Sequence, residues 1–218
     1  SASFTAHSEI DGAISFCHDN GITHIILHID AQEIPGFTAN PPDRCYICKR
    51  AIFTRIITAA NERGISHVID GSNLDDLSDY RPGMKALHEL GVISPLRECG
   101  LTKSDVREIS RRLSLPTWDK PASACLASRF VYGEEITPEK LRMVDRAEDF
   151  LHGLGFRQSR VRIHGLIARI ELMPGDLSQA VQDDTRIKIH DALKDCGFSY
   201  VTLDMKGYRM GSMNESIK

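Results

Sequence analysis

Apolar residues recur with helical spacing in several stretches of the chain, and short apolar runs lie between these stretches. Residues 8–20 have the pattern of an amphipathic helix that stops at Gly21, and the apolar run His24–Ile29 then predicts a strand. The same order returns with a helical pattern from Asp43 to Glu62 and a second predicted strand, His67–Asp70. The first part of the chain therefore predicts helices that alternate with strands.

The alternation continues through the next forty residues. A third helix is predicted from Arg81 to Leu90, and Val92–Leu96 predicts a short strand. Thr102 is a suitable N-cap for a helix that runs to Leu113, with Asp105 placed three residues later as a capping box requires. Such alternation predicts an α/β fold with a doubly wound, mostly parallel sheet, in which ligands bind at the carboxyl ends of the strands.

The pattern changes after Gly133. Thr137-Pro138 is typical of a helix start, and this helix is predicted to reach Gly155. The remaining predicted elements are two alternating strands, a helix and a final strand: Arg160–His164, Ile167–Leu172, Leu177–Cys196 and Tyr200–Leu203. We therefore predict two domains, a nucleotide-binding domain over residues 1–132 and a small α+β domain over residues 133–218.

Composition narrows the class of protein. The chain has 218 residues, of which 41% are hydrophobic and 26% charged, and its formal net charge is -3. These values are typical of a globular protein and disfavour nonspecific binding to nucleic acid or to anionic membranes. We find neither a transmembrane-length apolar run nor a signal-peptide pattern, so we expect a cytoplasmic protein.

Three of the six cysteines stand in local motifs that indicate chemistry. Cys45 and Cys48 form a Cys-x-x-Cys at the start of a predicted helix, which places both thiols on one helical face, and Cys125 follows much later. Ordinary half-buried thiols are one interpretation. Zinc is another, although a structural zinc site normally needs four ligands. A three-cysteine iron–sulfur cluster with one open iron position fits the count better.

Polar residues directly follow the second predicted strand, in the segment Asp70–Asp76. Groups at the carboxyl end of a strand are placed to bind a nucleotide in folds of this class. The same residue types also favour a solvated turn. The candidate nucleotide-binding residues are Asp70, Gly71, Ser72, Asn73 and Asp76.

Charged residues in the second predicted domain could form two further sites. Arg160 and Arg162 alternate along a predicted strand and so share one face, where they could bind a phosphate or a carboxylate. An exposed basic strand face is the alternative. Glu148, Glu171 and Asp176 could surround a divalent cation, or they could be surface charges.

Taken in order, the motifs resemble the LarE family across nearly the whole chain. The matching segments begin with Pro-Asp-Arg-Cys45-Tyr-x-Cys48-Lys and Asp70-Gly-Ser-Asn-x-Asp-Asp. The later ones are Arg81-Pro-Gly, Ser94-Pro-Leu, Lys103 with Val106-Arg107, Leu115-Pro116, Lys120-Pro121 through Cys125-Leu-Ala-Ser-Arg129, and the tail Gly207-Tyr208-Arg209-x-Gly211-Ser212-x-Asn214-Glu215.

The resemblance implies an ATP-dependent sulfur transferase of the PP-loop superfamily that acts in nickel-pincer nucleotide biosynthesis for lactate racemase. ATP and Mg²⁺ would adenylate a carboxylate of a pyridinium biscarboxylate mononucleotide, and a protein sulfur would then convert it to a thiocarboxylate. In one version Cys125 gives up its own sulfur and becomes dehydroalanine. In the other, a [4Fe-4S] cluster on Cys45, Cys48 and Cys125 carries the sulfur, and the presence of Cys45 and Cys48 favours this version.

The resemblance also implies roles for residues of the second domain. Arg160 and Arg162 would bind the substrate phosphate, and Ser128 would line the same site. Glu148, Glu171 and Asp176 would hold a metal ion. A homo-oligomer, such as a hexamer, is implied as well.

One family motif is absent from the sequence. The PP-loop Ser-Gly-Gly-x-Asp-Ser, whose backbone amides bind ATP phosphates, does not occur, and the chain begins at what would be the end of the second strand. We therefore expect an N-terminal truncation with weak or no ATP binding and little ATP-dependent activity. The alternatives are another PP-loop enzyme, such as a tRNA thiolase or an ammonia-dependent ligase, and a non-catalytic nucleotide- or zinc-binding protein.

Overall fold

Two compact units make up the chain in the computed structural model, which describes residues 2–77, 82–120, 124–209 and 211–213. The sheet unit contains Ser1–Glu33, Thr38–Asn40 and Ser123–Lys218, and the helical unit contains Ile34–Phe37 and Pro41–Ala122. Some predicted features lie outside the described residues: the helix start at Arg81, the approach to Cys125 through Pro121–Ser123, and the tail residues Asn214 and Glu215.

This division differs from the predicted boundary at residue 133, because the N-terminal segment belongs with the C-terminal half. The backbone N–H of Leu126 donates to the carbonyl of Phe4 at 2.9 Å, and that of Gly133 donates to the carbonyl of Asn40 at 2.9 Å. These hydrogen bonds join backbone groups of segments that are far apart in the sequence. A local sequence pattern does not predict such partners.

Helices dominate the helical unit. They are α2 (Arg44–Asn61), α3 (Gly83–Glu89), α4 (Pro95–Glu98) and α5 (Lys103–Arg112), with a 3₁₀ turn at Leu74–Leu77. The predicted capping box of α5 is confirmed, because the Thr102 hydroxyl accepts from the Asp105 N–H and the Asp105 carboxylate accepts from the Thr102 N–H. Two orphan donors at the start of this helix are thereby satisfied.

The sheet unit contains α1 (His7–Asp19), α6 (Pro138–Gly153), α7 (Leu177–Ala180), α8 (Asp183–Asp195) and the strands β1 (Ser159–His164), β2 (Ile167–Leu172) and β3 (Tyr200–Leu203). Short 3₁₀ turns lie at Ala31–Glu33, Leu126–Arg129 and Pro174–Asp176. The helix predicted over residues 177–196 is two helices, because the backbone of Gln182 is extended and begins α8 as its N-cap.

The sheet has the order β1-β2-β3, with β1 antiparallel to β2 and β2 parallel to β3. Arg160 lies opposite Glu171 and Arg162 lies opposite Arg169 in the β1–β2 register. Because strand side chains alternate between faces, these four residues share one face. The other face is apolar and packs against α6 and α8 through buried residues, among them Val161, Ile163, Ile170, Leu172, Val144, Leu151 and Leu193.

The strands predicted at His24–Ile29, His67–Asp70 and Val92–Leu96 are not formed in the part of the chain that the structure describes. Single parallel bridges remain, between Ala2 and Ile29 and between Ile69 and Ile93. Two physical reasons are visible. Pro95, which has no N–H to donate to a ladder, starts α4, and Ile69 is 63% exposed, so that apolar burial does not hold its segment in a sheet.

The mixed α/β class is confirmed, and the doubly wound sheet stays a prediction. No helix among the described residues is long and apolar enough to cross a membrane.

Candidate active site

The cysteine turn, residues 44–49, is the first turn of α2 in the helical unit. Cys45 is exposed and Cys48 is half-buried. Tyr46 lies between the two cysteines in the sequence. Its hydroxyl donates to Glu89 Oε2 at 2.7 Å, and this hydrogen bond raises the pKa of Tyr46. As predicted, the Cys-x-x-Cys opens a helix, with both sulfurs within one turn.

Gly83 allows α3 to approach this turn closely. A Cβ at residue 83 would lie 2.8 Å from Cδ of Lys49 and 3.2 Å from the carbonyl oxygen of Cys45. The glycine of the Arg81-Pro-Gly motif thus has a packing role beside the cysteine turn.

The Asp70–Asp76 segment forms a turn whose polar groups bond to one another and to neighbouring helices. The Asp70 carboxylate accepts from the hydroxyls of Ser72 and Ser94, the latter at 2.6 Å. Burial alone would raise the pKa of Asp70, but these hydroxyls and the charge of Lys49 outweigh burial and lower it. The segment therefore keeps an ionised carboxylate next to the parallel bridge at Ile69, and its nucleotide-binding role stays a prediction.

The rest of this segment caps backbone donors. Asp76 accepts from the N–H of Asn73 at 2.9 Å, and Asp75 accepts from the N–H of Lys103, at the start of α5, at 2.9 Å. No local pattern in the sequence predicts the hydrogen bond from Ser94 to Asp70. Ser94 does lie in the Ser94-Pro-Leu motif of the family resemblance.

Cys125 stands at the start of the 3₁₀ turn Leu126–Arg129 in the sheet unit, and the last residue of that turn binds its backbone. Nη1 of Arg129 donates to the carbonyl oxygens of Ala124 and Cys125, at 2.7 and 3.0 Å, and to Oγ of Ser128 at 3.0 Å. Arg129 is only 2% exposed, whereas Cys125 is exposed, with its Sγ accepting from the Ala127 N–H at 3.3 Å. A buried cation therefore fixes the backbone of an accessible sulfur.

Glu148 in α6 holds Arg129 in place. Its two carboxylate oxygens accept from Nε and Nη2 of Arg129 at 2.9 and 2.6 Å, and Oε1 also accepts from the N–H of Val161 in β1 at 2.8 Å. Burial by itself lowers the pKa of Arg129, but Glu148 outweighs burial and Cys125 adds to the rise, so the pKa lies above its ordinary value.

Arg160 is a buried arginine of β1. Its Nη1 donates to the carbonyl of Ser159 at 2.6 Å, and its Cζ lies 5.5 Å from the centroid of the Tyr208 ring. Burial lowers the pKa of Arg160, and the charges of Arg129 and Arg162 lower it further. A buried cation beside other cations is electrostatically suited to an anion.

Arg162, on the same strand, makes four side-chain hydrogen bonds. It donates from Nε and Nη2 to Oε2 of Glu171 at 3.1 and 2.9 Å, from Nη1 to the Ser128 carbonyl at 3.1 Å, and from Nη2 to Oγ of Ser212 at 3.2 Å. These contacts use four of the five N–H groups of a guanidinium. A phosphate at this position would share those donors with Glu171 and Ser212.

We call the connected charged residues of the sheet unit the arginine network. Within the described residues it contains five guanidiniums, of Arg129, Arg160, Arg162, Arg169 and Arg209, and three carboxylates, of Glu148, Glu171 and Asp204. Guanidiniums therefore outnumber carboxylates among these described residues. Clustered cationic side chains attract anionic groups such as phosphates and carboxylates.

The predicted divalent-cation site is not assembled. Among the described residues, no group of three or more His, Cys, Asp or Glu side chains could hold a metal ion. The carboxylates of Glu148 and Glu171 bind arginines, and Asp176 is the N-cap of α7. In this arrangement the three acids do not fit a metal ion, because their oxygens already accept from guanidiniums or lie apart.

The three cysteines of the predicted cluster are divided between the units. Cys45 and Cys48 belong to the helical unit, and Cys125 belongs to the sheet unit. The [4Fe-4S] assignment therefore stays a prediction.

The sequence did not predict a functional role for three residues of the site: Arg129, Tyr208 and Ser212. All three lie inside motifs of the family resemblance, and these motifs could have identified them. A separate cavity of about 420 Å³ lies among residues that include Ile170, Leu172, Ile187 and Val201, on the apolar face of the sheet and not at the arginine network.

The sequence is similar to those of three known proteins. No known protein-family profile matches it. An uncharacterized protein of Synechocystis is 48% identical over 89% of this chain and 72% of its own length. The pyridinium-3,5-bisthiocarboxylic acid mononucleotide synthase of Lactiplantibacillus plantarum is 37% identical over 96% of this chain and 75% of its own length. An uncharacterized protein of Methanocaldococcus jannaschii is 32% identical over 84% of this chain and 71% of its own length.

The similarity to the synthase extends over the cysteine turn, the Asp70 motif, the Cys125 turn and the arginine network, since it covers nearly the whole chain. The chain belongs to the LarE family, the family of pyridinium-3,5-bisthiocarboxylic acid mononucleotide synthase.

Proposed function

We propose that this protein is an ATP-dependent sulfur transferase of nickel-pincer nucleotide biosynthesis. Its substrate is a pyridinium biscarboxylate mononucleotide, whose carboxylates become thiocarboxylates after adenylation. Family membership supports the reaction class. The observation that carries the proposal is the exposed sulfur of Cys125, whose backbone carbonyl accepts a hydrogen bond from the buried Arg129.

Cys125 is the proposed nucleophile. Thiolate is the reactive form of cysteine, and Arg129 lies close enough to interact electrostatically with this sulfur. An acyl adenylate is a suitable electrophile, because AMP is a far better leaving group than the oxygen of a free carboxylate. The thiolate attacks the acyl carbon and AMP leaves, which forms a thioester on Cys125. In the sacrificial route, loss of the Cys125 α-proton and cleavage of its Cβ–Sγ bond then release the thiocarboxylate and leave dehydroalanine.

The arginine network is the proposed site for the substrate phosphate. Arg160 is buried beside Arg129 and Arg162, whose charges lower its pKa, and the Ser128 hydroxyl accepts from Arg129. Guanidiniums bind phosphate through planar, charge-assisted hydrogen bonds. The phosphate would thus anchor the nucleotide near Cys125.

The Asp70–Asp76 segment is proposed to bind ATP with Mg²⁺ at the turn that follows the second predicted strand. In the alternative route, Cys45, Cys48 and Cys125 would hold an iron–sulfur cluster. The cluster would supply the sulfur, and Cys125 would then be a ligand and not the nucleophile. We route no step through a metal, because the described acids do not form a cation site.

The experiment supplies the substrate in two forms, with ATP and Mg²⁺ and as its preformed acyl adenylate, because the sequence lacks the PP-loop motif. We expect thiocarboxylate product, or a covalent acyl group on the Cys125 peptide by mass spectrometry, from the acyl adenylate. Cys125→Ala should abolish both signals. Cys99→Ala, which also removes an exposed thiol, should retain them. Equal reaction of Cys125→Ala and the unmodified protein would exclude Cys125 as the nucleophile.

Anaerobic purification with iron, sulfide and zinc analysis separates the two sulfur sources. Iron and sulfide that are lost in Cys45→Ala support the cluster, whereas stoichiometric zinc excludes it. A mass decrease of Cys125 that corresponds to the loss of one hydrogen sulfide molecule during turnover identifies the sacrificial route.

A further inference from the structure

The Cys125 turn is short and depends on contacts with other elements. Its 3₁₀ helix has only the four residues Leu126–Arg129. Within the turn, the Ser128 N–H donates to the Cys125 carbonyl at 2.9 Å, and the Ala127 N–H donates to Cys125 Sγ at 3.3 Å. A single turn fixes several backbone dihedrals for few hydrogen bonds, which is unfavourable in isolation. Contacts from the rest of the sheet unit must therefore hold this sulfur in place.

Arg129 connects the turn to two other elements of the sheet unit. Its Nη1 donates to the carbonyls of Ala124 and Cys125, and its Nε and Nη2 donate to Glu148 in α6. Oε1 of Glu148 also accepts from the Val161 N–H in β1. A continuous series of hydrogen bonds therefore runs from β1 through Glu148 and Arg129 to the backbone of Cys125.

The burial of Arg129 and Glu148 strengthens this connection. Arg129 is 2% exposed and Glu148 is 5% exposed, so water does not compete for their hydrogen bonds. The guanidinium is planar, and one edge binds the carboxylate while Nη1 binds both carbonyls. Movement of Arg129 would have to break several hydrogen bonds at once.

We propose that Arg129 and Glu148 are positioning residues of the sulfur transfer, acting through the backbone of Cys125. The inference rests on the proposed function, in the route that forms a Cys125 thioester. In that step the bond between Sγ and the acyl carbon forms, and the bond from the acyl carbon to AMP breaks with its electron pair on the AMP oxygen. The rate depends on where Sγ lies, since a misplacement of about 1 Å can cost about a hundredfold.

This role differs from the one that the family resemblance implies for Glu148. A metal ligand must offer its oxygens to the cation, whereas both oxygens of Glu148 accept from Arg129. As a positioning residue Glu148 needs no metal ion. It acts on the sulfur from another helix, through one arginine.

A paired apolar replacement tests the proposal without leaving a buried charge unpaired. Arg129→Met/Glu148→Leu removes both charges together, and buried ion pairs replaced in this way often leave the fold intact. We expect the maximal rate of Cys125 acylation by the preformed acyl adenylate, measured by mass spectrometry of its peptide, to fall by about tenfold to a hundredfold. The half-saturating concentration of the acyl adenylate should change by less than about twofold.

Alkylation of Cys125 by iodoacetamide distinguishes positioning from a change in the thiol itself. This small reagent reacts without being held at a site, and Cys125 is exposed, so the double variant should be alkylated within about twofold of the original rate. The matched control is Lys140→Met/Glu134→Leu. It removes another ion pair made by α6, whose described hydrogen bonds reach Gly165 and not the Cys125 turn, and it should leave both rates unchanged.

The outcomes separate the inference from the proposed function. Unchanged acylation in Arg129→Met/Glu148→Leu, a change confined to the half-saturating concentration, or equal slowing of acylation and alkylation overturns the positioning role and leaves the proposed function in place. Equal slowing of acylation in the control overturns it too. If circular dichroism shows that the double variant is unfolded, Arg129→Lys, which keeps a cation beside Glu148 but loses the planar guanidinium, decides between the same outcomes. Absence of acylation in the unmodified protein, with Cys125 still alkylated, overturns the Cys125 thioester and the positioning proposal with it.

Discussion

The cysteine turn and the arginine network hold their side chains in opposite ways. Cys45 is exposed at the start of a helix, and the glycine beside its turn faces a flexible lysine side chain. In the network, Glu171 is fully buried and accepts from Arg162, Arg169 and Ser212. The sulfurs are accessible to small reactants, whereas the cations are preorganised for one kind of ligand.

The largest expected effect is the loss of a buried carboxylate. Glu171→Ala removes the shared partner of Arg162 and Arg169 and leaves both charges without it, which should lower the free energy of unfolding by about 3–5 kcal/mol. Urea denaturation measures this loss. Glu108→Ala, which removes an exposed carboxylate paired with Arg111 and Arg112, is the control and should change the free energy little. Equal losses in the two variants would show that the network is not preorganised.

The second prediction compares glycines of the two regions. Gly207→Ala combines a positive φ with the approach of the Leu172 carbonyl and should lower the free energy of unfolding by about 2–4 kcal/mol. Gly83→Ala, beside the cysteine turn, meets mainly the movable side chain of Lys49 and should cost less than about 1 kcal/mol.

Gly165→Ala is the matched control for the backbone, because Gly165 also has a positive φ but no atom near its Cβ position. Its cost in the same urea experiment should be about 1 kcal/mol. A cost as large as that of Gly207→Ala would attribute the whole effect to φ and none to the approach of Leu172.

The smallest expected effect concerns an ion pair of the sheet unit between the exposed His7 and the buried Asp145. Nδ1 of His7 lies 2.7 Å from Oδ2 of Asp145, and this hydrogen bond, with the charge of Asp145, raises the pKa of His7 above 6.5. The stabilisation is complete below the unfolded-state pKa and is lost as pH rises through the folded-state pKa. Because the His7 side chain is 80% exposed, the change should stay below about 1 kcal/mol.

Unfolding of the unmodified protein and of His7→Gln at pH 5.5 and pH 8.5 measures this effect. The stability difference between the two proteins should shrink at the higher pH. A difference that is constant or grows with pH would contradict the assigned ion pair.

Local signals in the sequence predicted most of the helices and the second half of the fold. The Thr102–Asp105 capping box and the Thr137-Pro138 start act within a few residues, so their outcome does not depend on distant partners. The run Ile167–Leu172 became a strand because its alternation matches a half-buried sheet. The run His24–Ile29 has strand composition too, but a strand needs a partner along its length, and only Ile29 forms a bridge.

The site was harder to predict because its residues also depend on partners that are distant in the sequence. Arg160 and Arg162 were correctly placed on one strand face, since that follows from alternation alone. The partners of Glu148 and Glu171 lie up to 41 residues away, at Ser212, and no local pattern distinguishes a carboxylate that binds a metal from one that binds a guanidinium. The close approach of Gly207 to Leu172 is likewise a contact between distant segments.

The hydrogen bonds from Arg129 to the carbonyls of Ala124 and Cys125 hold the main chain and do not involve the sulfur. Loss of Sγ from Cys125 would open no cavity, because that side chain is exposed, and would leave both carbonyl contacts intact. A protein that surrenders this sulfur would therefore stay folded. Its lifetime after one turnover would depend on chemical repair or replacement of a single side chain, not on its conformational stability.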